Sequence, residues 1–566
     1  MSVADWIVLC GTLAFIVFFG IWKSRGNKSM NSYLLADKSM PWYAVGISIM
    51  ATQASAITFL SAPGQAFTDG MRFVQFYFGL PLAMIVLCIT FVPIFHRLKV
   101  YTAYEFLENR FDLKTRALTA FLFLIQRGLA CGLTIYAPSI ILSSILGWNI
   151  YWTNLVIGGL VILYTVSGGT RAVSITQMQQ MSVIFIGMFL AGYVIVKLLP
   201  DNLSFTDSLN VAGTLGRLNV VDFEFDMKNQ YNIWSGLIGG FFLALSYFGT
   251  DQSQVGRYLT GKSVAQSRLG LLFNAIIKIP MQFLILMIGA LLLVFYQFQE
   301  APVHFNKVEY EKISRSDLAP QFRQLEGEFR NVHLEKQKNL NGLVDAIQSG
   351  DEKTRIEIGK AMKEQENQMQ TIRAEAMTLM KKNDPLAETN DTNYIFLSFI
   401  TEYFPAGLIG LLIAVIFSAS MSSTSSELNA LASTTIVDIV KRFSKKARSA
   451  QNEVFISRLA TVLWGFYAIL VAMFANQLGS LIEAVNKLGS LFYGTILGIF
   501  VVAFYIKQIK GHTVFYAAII AEIFVIIFFF MDLTAFLWLN LIGCVLVIVF
   551  SFIVRALVPE NQQHVK

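Results

Sequence analysis

Charge is what this sequence is short of. Of its 566 residues, 14% are Asp, Glu, Lys or Arg and 55% are hydrophobic, whereas soluble domains run at roughly 25% charged and 45–50% apolar. That deficit excludes a soluble multidomain enzyme and a disordered chain. Cysteine is as sparse. Cys10, Cys88, Cys131 and Cys544 cannot staple a chain of this length, so a disulfide scaffold is excluded, and each reads as small apolar filler. None of the five histidines, His96, His304, His333, His512 and His564, lies well inside an apolar run. The interior therefore lacks the commonest acid–base catalyst, and the chain does not read as an enzyme.

The charge that is present is unevenly spread. Residues 301–393 hold 14 Lys and Arg and 16 Asp and Glu, 30 of the 81 charges in the chain. This segment reads as one water-soluble insert of net charge −2, which leaves +9 on an otherwise apolar protein. Three regions follow: residues 1–297, an insert at 298–392, and residues 393–566.

A helix needs about 20 mainly apolar residues to cross a bilayer. Thirteen segments qualify, near 4–22, 42–67, 74–96, 118–147, 151–167, 178–199, 232–256, 269–297, 404–437, 453–475, 479–506, 512–531 and 533–556. Outer-membrane strands would alternate apolar and polar residues over about ten positions. Runs such as 519–530 are apolar throughout, so an all-α integral membrane protein is expected. The first span is not a cleaved leader: it begins with Asp5, and its basic cluster follows the apolar run.

Lys and Arg mark cytoplasmic loops. Lys23, Arg25 and Lys28 follow the first span. Arg97, Lys99, Arg110, Lys114 and Arg116 lie between the third and fourth, and Arg171 between the fifth and sixth. Arg257, Lys262 and Arg268 precede the eighth, Lys441, Arg442, Lys445, Lys446 and Arg448 the tenth, and Lys507 and Lys510 the twelfth. All fall on one side. The cell membrane is the expected location, with the N-terminus outside and the C-terminus in the cytoplasm. The net basic charge is then a topology signal, and no nucleic-acid partner is expected. The insert lies outside. Phe322, Leu325, Phe329 and Val332 have helical spacing, as do Ile358, Met362, Met369 and Ile372, and Ser349-Gly350-Asp351 interrupts them. A two-helix antiparallel hairpin is predicted, either a solvated ornament or an arm for docking a partner.

Polar groups inside a membrane are costly and mark function more often than they do in water. Span two holds Thr52, Gln53, Ser55, Thr58 and Ser61, then Pro63 and Gly64. A helix interrupted there frees carbonyls that can hold a cation, although small-residue packing would use the same residues. Span nine holds seven hydroxyl residues between Phe417 and Ser426, hard oxygen donors suited to an alkali cation. Tyr164–Val173 contains Gly168-Gly169 and reads as a tight reversal between two helices. Arg127, Asp251, Lys278, Glu483 and Lys487 are isolated ionisable residues within spans. Arg127 either grips a carboxylate of a solute or pairs internally, for instance with Asp251.

Together these segments resemble the sodium:solute symporter family over nearly all of the chain outside the insert. The most specific pieces are Tyr164–Val173 with Gln180, the Ser/Thr run ending in Asp438-Ile-Val-Lys441, and Gly249-Thr-Asp-Gln-Ser-Gln-Val-Gly-Arg-Tyr258. Phe95–Leu107 and Tyr136-Ala-Pro-Ser139 look like the branch of iodide, monocarboxylate and multivitamin carriers, with features shared by sialic-acid carriers. The resemblance implies a LeuT-type inverted repeat of five plus five helices, spans two to six and seven to eleven, with one extra N-terminal and two extra C-terminal helices. It implies a sodium ion held by backbone oxygens of Ala51, Ala54 and Ala419 and by the hydroxyls of Ser422 and Ser423. It also implies a solute pocket drawing on Ser55, Thr58, Gln75, Arg127, Tyr247 and Lys278.

One departure from the family matters. Members often carry Thr-Asp where this chain has Thr176-Gln177, and that Asp serves a further sodium in some of them. One sodium is therefore expected here. The expected function is sodium-coupled import of a small organic solute by alternating access. Two basic residues among hydroxyls favour an anion of the monocarboxylate or sialic-acid class. A neutral sugar carrier and a non-transporting receptor are the alternatives.

Overall fold

The computed structural model describes residues 1–24, 38–98, 100–443, 450–475 and 478–557. Among these residues the regular elements are all helices, and the one β-type pairing is an isolated bridge between Met40 and Gly261. Helix α1 (Val3–Ser24) precedes a bent pair, α2 (Trp42–Gln53) and α3 (Ala56–Asp69). Next come α4 (Leu80–Ile89), the long α5 (Leu113–Leu146) and α6 (Ile150–Lys197). A second interrupted helix follows, α7 (Gly240–Thr250) and α8 (Gln252–Tyr258), and then α9 (Val264–Phe298). Two charged helices, α10 (Ala319–Ser349) and α11 (Glu352–Asn383), separate these from α12 (Leu408–Thr434), α13 (Ala450–Ala472), α14 (Leu481–Tyr505), α15 (Gly511–Phe530) and α16 (Phe536–Leu557).

Nine helices among the described residues are long and apolar enough to cross a membrane, and α2 with α3 makes a tenth, bent by 59°. The shortfall from thirteen falls on three shorter apolar helices, Val3–Ile16, Ile150–Val166 and Ser235–Thr250. Large apolar side chains cover the outer surface, with Phe189 65% and Phe530 80% exposed. In water such a surface would aggregate, whereas in a bilayer it meets acyl chains. The protein is an integral membrane protein, and polar residues of its membrane helices such as Arg127, Asp251, Ser422 and Ser423 are turned inward. Arg25, Lys28, Lys99, Lys445, Lys446 and Arg448 of the basic loops lie outside the described residues.

Helix ends follow local chemistry. Asp112 accepts the Thr115 N–H to start α5, and Gly147 ends it at φ +65°. Ser263 accepts the Gln266 N–H to start α9. The run α6 is helical over 48 residues, but it is not straight. A straight helix separates residues twelve apart by about 18 Å, yet the Tyr164 and Thr176 hydroxyls are 2.6 Å apart. The chain folds back between them, across the interval that contains Gly168-Gly169.

Helices α10 and α11 lie against each other. Phe322, Leu325 and Phe329 share an apolar core with Met369, Ala376 and Met380, and Lys336 pairs with Glu366 across the pair. The turn is two residues long. Gly350 sits at φ +74°, where a side chain would strain, and Asp351 caps α11 by accepting the Thr354 N–H. The segment after this hairpin ties it to the membrane helices. Asp391 holds Arg373 and accepts the Phe305 N–H. Thr392 packs so closely on Gly64 of α3 that no Cβ could be accommodated there. Asn393 accepts hydrogen bonds from Ser61 of α3 and from the Leu481 N–H that opens α14.

Helix α1 packs on the start of α12. Asp5 accepts the N–H groups of Gly407 (2.6 Å) and Gly410 (3.2 Å). The same carboxylate takes the N–H and hydroxyl of Ser2 at 2.7 and 2.8 Å.

Candidate cation and solute sites

The bend between α2 and α3 costs backbone hydrogen bonds, and the lost bonds fall at particular residues. In an uninterrupted helix the carbonyl of Ala51 would accept from Ser55 N–H, and that of Ala54 from Thr58 N–H. Here Ser55 N–H goes to the Gln53 carbonyl (3.1 Å) and Thr58 N–H to the Ser55 carbonyl (3.0 Å). Ala54 closes α2 at ψ 77° and Ser55 opens α3 at ψ 172°. Two carbonyls thus lose their helical donors in the buried middle of the protein, with Ala51 1% and Ala54 0% exposed. Buried acceptors need another partner.

The partner is α12. Ser422 donates to the Ala51 carbonyl at 3.3 Å, and Ser423 donates to the Ala419 carbonyl at 3.0 Å, one turn back in its own helix. Oxygens on adjacent corners around one small cation, bound at roughly 2.4 Å, stand about 3.0–3.5 Å apart. The hydroxyl–carbonyl spacings already match that edge length. A hydroxyl that turns its proton away offers lone pairs to the same point, so the donor chemistry fits a monovalent cation. Next to it, Gln177 of α6 fills the remaining polar space. Its amide donates to Thr52, Ser426 and the Ser422 carbonyl at 3.0–3.4 Å, while its oxygen accepts from Ser48 at 2.5 Å.

The second interruption is built differently. Asp251 ends α7 and caps α8, with extended backbone (φ −77°, ψ 118°) and its carboxylate on the Ser253 N–H. The same side chain pairs with Arg127 of α5. Arg127 reaches a second carboxylate, Glu427 of α12, at 3.0 Å, and the Tyr493 hydroxyl at 2.6 Å. Thr134 donates to the other oxygen of Glu427 at 2.9 Å. The Tyr247 ring lies 5.5 Å from the guanidinium carbon, and Gln254 holds the Tyr247 hydroxyl at 2.7 Å. Arg127, Asp251 and Glu427 are all at most 4% exposed.

These groups surround a central cavity of about 90 Å3 between the two interruptions. Ser55, Thr58, Arg127 and Tyr247 line it, together with Glu427, Tyr493 and Gln126. Gln75 does not. Its amide donates to the Tyr231 carbonyl (2.9 Å) and accepts the Asp222 N–H (3.0 Å), so it braces a loop. Lys278 also stands off the cavity, one aromatic ring behind it. Its ammonium is 5.3 Å from the centre of Tyr77, which does line the space. Lys278 is fully buried, and among the described residues its nitrogen has no hydrogen-bond partner. Asn274 and Gln282, one turn to either side on α9, are equally buried and unpartnered.

Glu427 and Tyr493 escaped the sequence reading. Glu427 carried a signal: it is a carboxylate inside an apolar span, directly after the hydroxyl run. Tyr493 carried none, being one of 20 tyrosines in the chain.

The sodium:solute symporter family model matches residues 33–319 and 372–521 and omits most of the hairpin between them. Sodium-coupled monocarboxylate transporter 1 of Xenopus laevis is 25% identical over 510 residues, 88% of this chain and 67% of that protein. The sodium/glucose cotransporter of Vibrio parahaemolyticus is 25% identical over 523 residues, 90% of this chain and 82% of its own. Among solved structures, a Na+-coupled sialic acid symporter in a substrate-bound outward-open state superposes with a TM-score of 0.75. The match runs over all of both chains at 22% identity, which is a likeness of fold.

Proposed function

The chain belongs to the sodium:solute symporter family, and from that premise we propose that it imports a small organic monoanion together with one sodium ion. It is a sodium-coupled transporter and not an enzyme. In this reading the ion sits among the carbonyls of Ala51, Ala54 and Ala419 and the hydroxyls of Ser422 and Ser423. The solute occupies the central cavity against Ser55, Thr58 and Tyr247, with Arg127 and Lys278 supplying positive charge. The observation that carries the sodium site is the loss of helical donors at Ala51 and Ala54, opposite Ser422.

A charge count supports the choice of anion. Counting Lys278 as an ammonium and both acids as carboxylates, Arg127 and Lys278 balance Asp251 and Glu427. Sodium plus a monoanion leaves that buried group neutral, whereas sodium plus a neutral solute leaves one uncompensated charge in a low dielectric, which is costly. Gln177 supports a single sodium, because its amide nitrogen already takes the oxygens beside the first interruption. The neutral-sugar reading has one observation in its favour: Arg127 is already held by two carboxylates.

Transport then follows alternating access, with thirteen spans forming an inverted repeat of five plus five flanked by three more. The two interrupted helices, α2–α3 and α7–α8, stand at the head of each repeat. The N-terminus and the hairpin face outward, in the cell membrane. Linkage requires that sodium and solute each tighten binding of the other.

Uptake by reconstituted protein of sialic acid, lactate, pantothenate and hexoses tests the reading, in sodium and in potassium, with the membrane potential clamped by valinomycin. One-to-one cotransport of sodium with a monoanion moves no net charge. Sodium-driven uptake of a carboxylate that ignores the potential is the expected result. Potential-driven uptake of a hexose overturns the anion assignment.

A further inference from the structure

A second cavity is larger than the central one. It measures about 500 Å3 and lies where the hairpin meets the membrane helices. Its floor is the end of α3 and the end of α9, with Arg217 from the loop after α6. Its roof is α10 and α11, through residues such as Phe329, His333 and Met369. Most of that roof falls within 320–371, the stretch that the family model leaves unmatched. No sodium or solute position discussed above contributes to it.

The wall is polar in a selective way. Lys336 is paired with Glu366, and Arg373 with Asp391. Asp69 takes the amide of Gln65. Arg217 is different: among the described residues it forms no ion pair within 4.0 Å, although Glu366 and Asp69 on the same wall favour its charge, and its Nε has no hydrogen-bond partner. Two further side chains on this wall are unpartnered and more than nine-tenths buried. They are His333 at 2% exposure, through Nε2, and Gln297 at 5%, through Oε1. Burial, and then the nearby Lys336, hold His333 below the ordinary histidine value. At neutral pH it is therefore an uncharged hydrogen-bonding group. Phe67, Phe329 and Met369 supply apolar surface between these polar points. Unmet polar groups around an apolar hollow of this size describe a ligand site, with polar groups that fix orientation and apolar walls that add affinity.

We propose that this cavity is a second binding site, for a small organic acid whose carboxylate pairs with Arg217 and whose apolar body lies against Phe329 and Met369. His333 and Gln297 hydrogen-bond the ligand at its other polar edge. The site is independent of the sodium position, since it shares no residue with α2 or α12. Its occupant bridges the hairpin to α3, the half of the bent helix on which Thr392 is seated.

The test uses the full chain in nanodiscs and 4-fluorobenzoate as the probe, followed by fluorine NMR, with neutral 4-fluorobenzamide as its isostere. Saturable broadening of the acid signal is expected without sodium and at equal strength in a Ser422→Ala/Ser423→Ala variant. Arg217→Gln weakens binding by about tenfold or more, as loss of a charged hydrogen bond does, and Arg217→Lys retains most of it. Ala374→Trp, at an exposed position on the cavity wall, blocks the site sterically without touching the core. Equal binding of the amide, indifference to both Arg217→Gln and Ala374→Trp, or no binding in the absence of sodium each overturns the proposal. Binding that requires sodium and is lost with Ser422 and Ser423 belongs to the central site, so failure of the two readings is distinguishable.

Discussion

The two interrupted helices use one backbone device for opposite ends. At the first, between α2 and α3, the chain breaks among alanines, and the carbonyls that lose their helical donors meet neutral hydroxyls. At the second, between α7 and α8, the break carries its own carboxylate, Asp251, which is already paired with Arg127 and hydrogen-bonded by Tyr493. One break exposes uncommitted oxygen and the other is internally satisfied. A bare break can take a cation and release it, because a hydroxyl returning to a carbonyl costs little. A charged break is a fixed anchor, since removing one member of a buried ion pair strands the other. Placing a cavity between the two sets a labile wall opposite a rigid one.

The comparison can be broken most severely at the labile wall. Replacing Ser422 and Ser423 by alanine removes two of the five oxygens proposed to hold the ion. Each charge-assisted contact is worth about 1.5–3 kcal/mol, so apparent sodium affinity in uptake should fall on the order of 100-fold or more while folding is retained. Normal uptake by the folded double mutant would place the ion elsewhere.

The rigid wall should fail in another way. Arg127→Ala leaves Asp251 and Glu427 facing each other without a cation. The expected loss is about 3–5 kcal/mol of stability, read as a lower melting temperature in detergent and poor membrane yield. Adding Asp251→Ala should recover part of it. A well-folded Arg127→Ala protein that has lost only anion uptake would show instead that Arg127 acts mainly on the solute.

The smallest change makes the first break resemble the second. Gln177→Asp puts a carboxylate beside Thr52 and Ser426 in place of an amide donor. The expected result is a steeper sodium dependence, with a Hill coefficient moving from one toward two and uptake becoming sensitive to membrane potential. An unchanged Hill coefficient would mean that Gln177 only braces the helices.

Most of the architecture could be read from hydropathy, because a bilayer demands unbroken apolar runs and basic loops report their side. Spans such as 118–147 and 269–297 correspond to α5 and α9 within a few residues. Hydropathy fails where a helix is broken or shared. It gives two spans, 151–167 and 178–199, with a reversal between them, and cannot tell that helix runs unbroken from Ile150 to Lys197 or that the span 232–256 divides at Asp251. The positions chosen for the ion came from a family likeness, and their physical basis, the missing donors at Ala51 and Ala54, requires three-dimensional hydrogen bonds. The proposed solute wall was half visible. Arg127 stands out as an isolated charge, but that it serves two carboxylates depends on the approach of α12 to α5, which no local pattern encodes. Gln75 illustrates the reverse, a plausible polar residue whose amide is used up by neighbouring backbone.

The carboxylate of Asp5 has a consequence in time. The first helix leaves the ribosome about 400 residues before Gly407 and Gly410, the amides it will finally bind. At roughly 5–20 residues per second, that is a wait of about 20–80 s for an acid at the edge of a membrane. Ser2 answers it: its own N–H and hydroxyl bond Asp5 within a single turn. Helix α1 can therefore insert with its acid occupied and keep that contact as α12 arrives to share it. The acid thus has a provisional partner three residues away before its distant partners, about 400 residues on, are made.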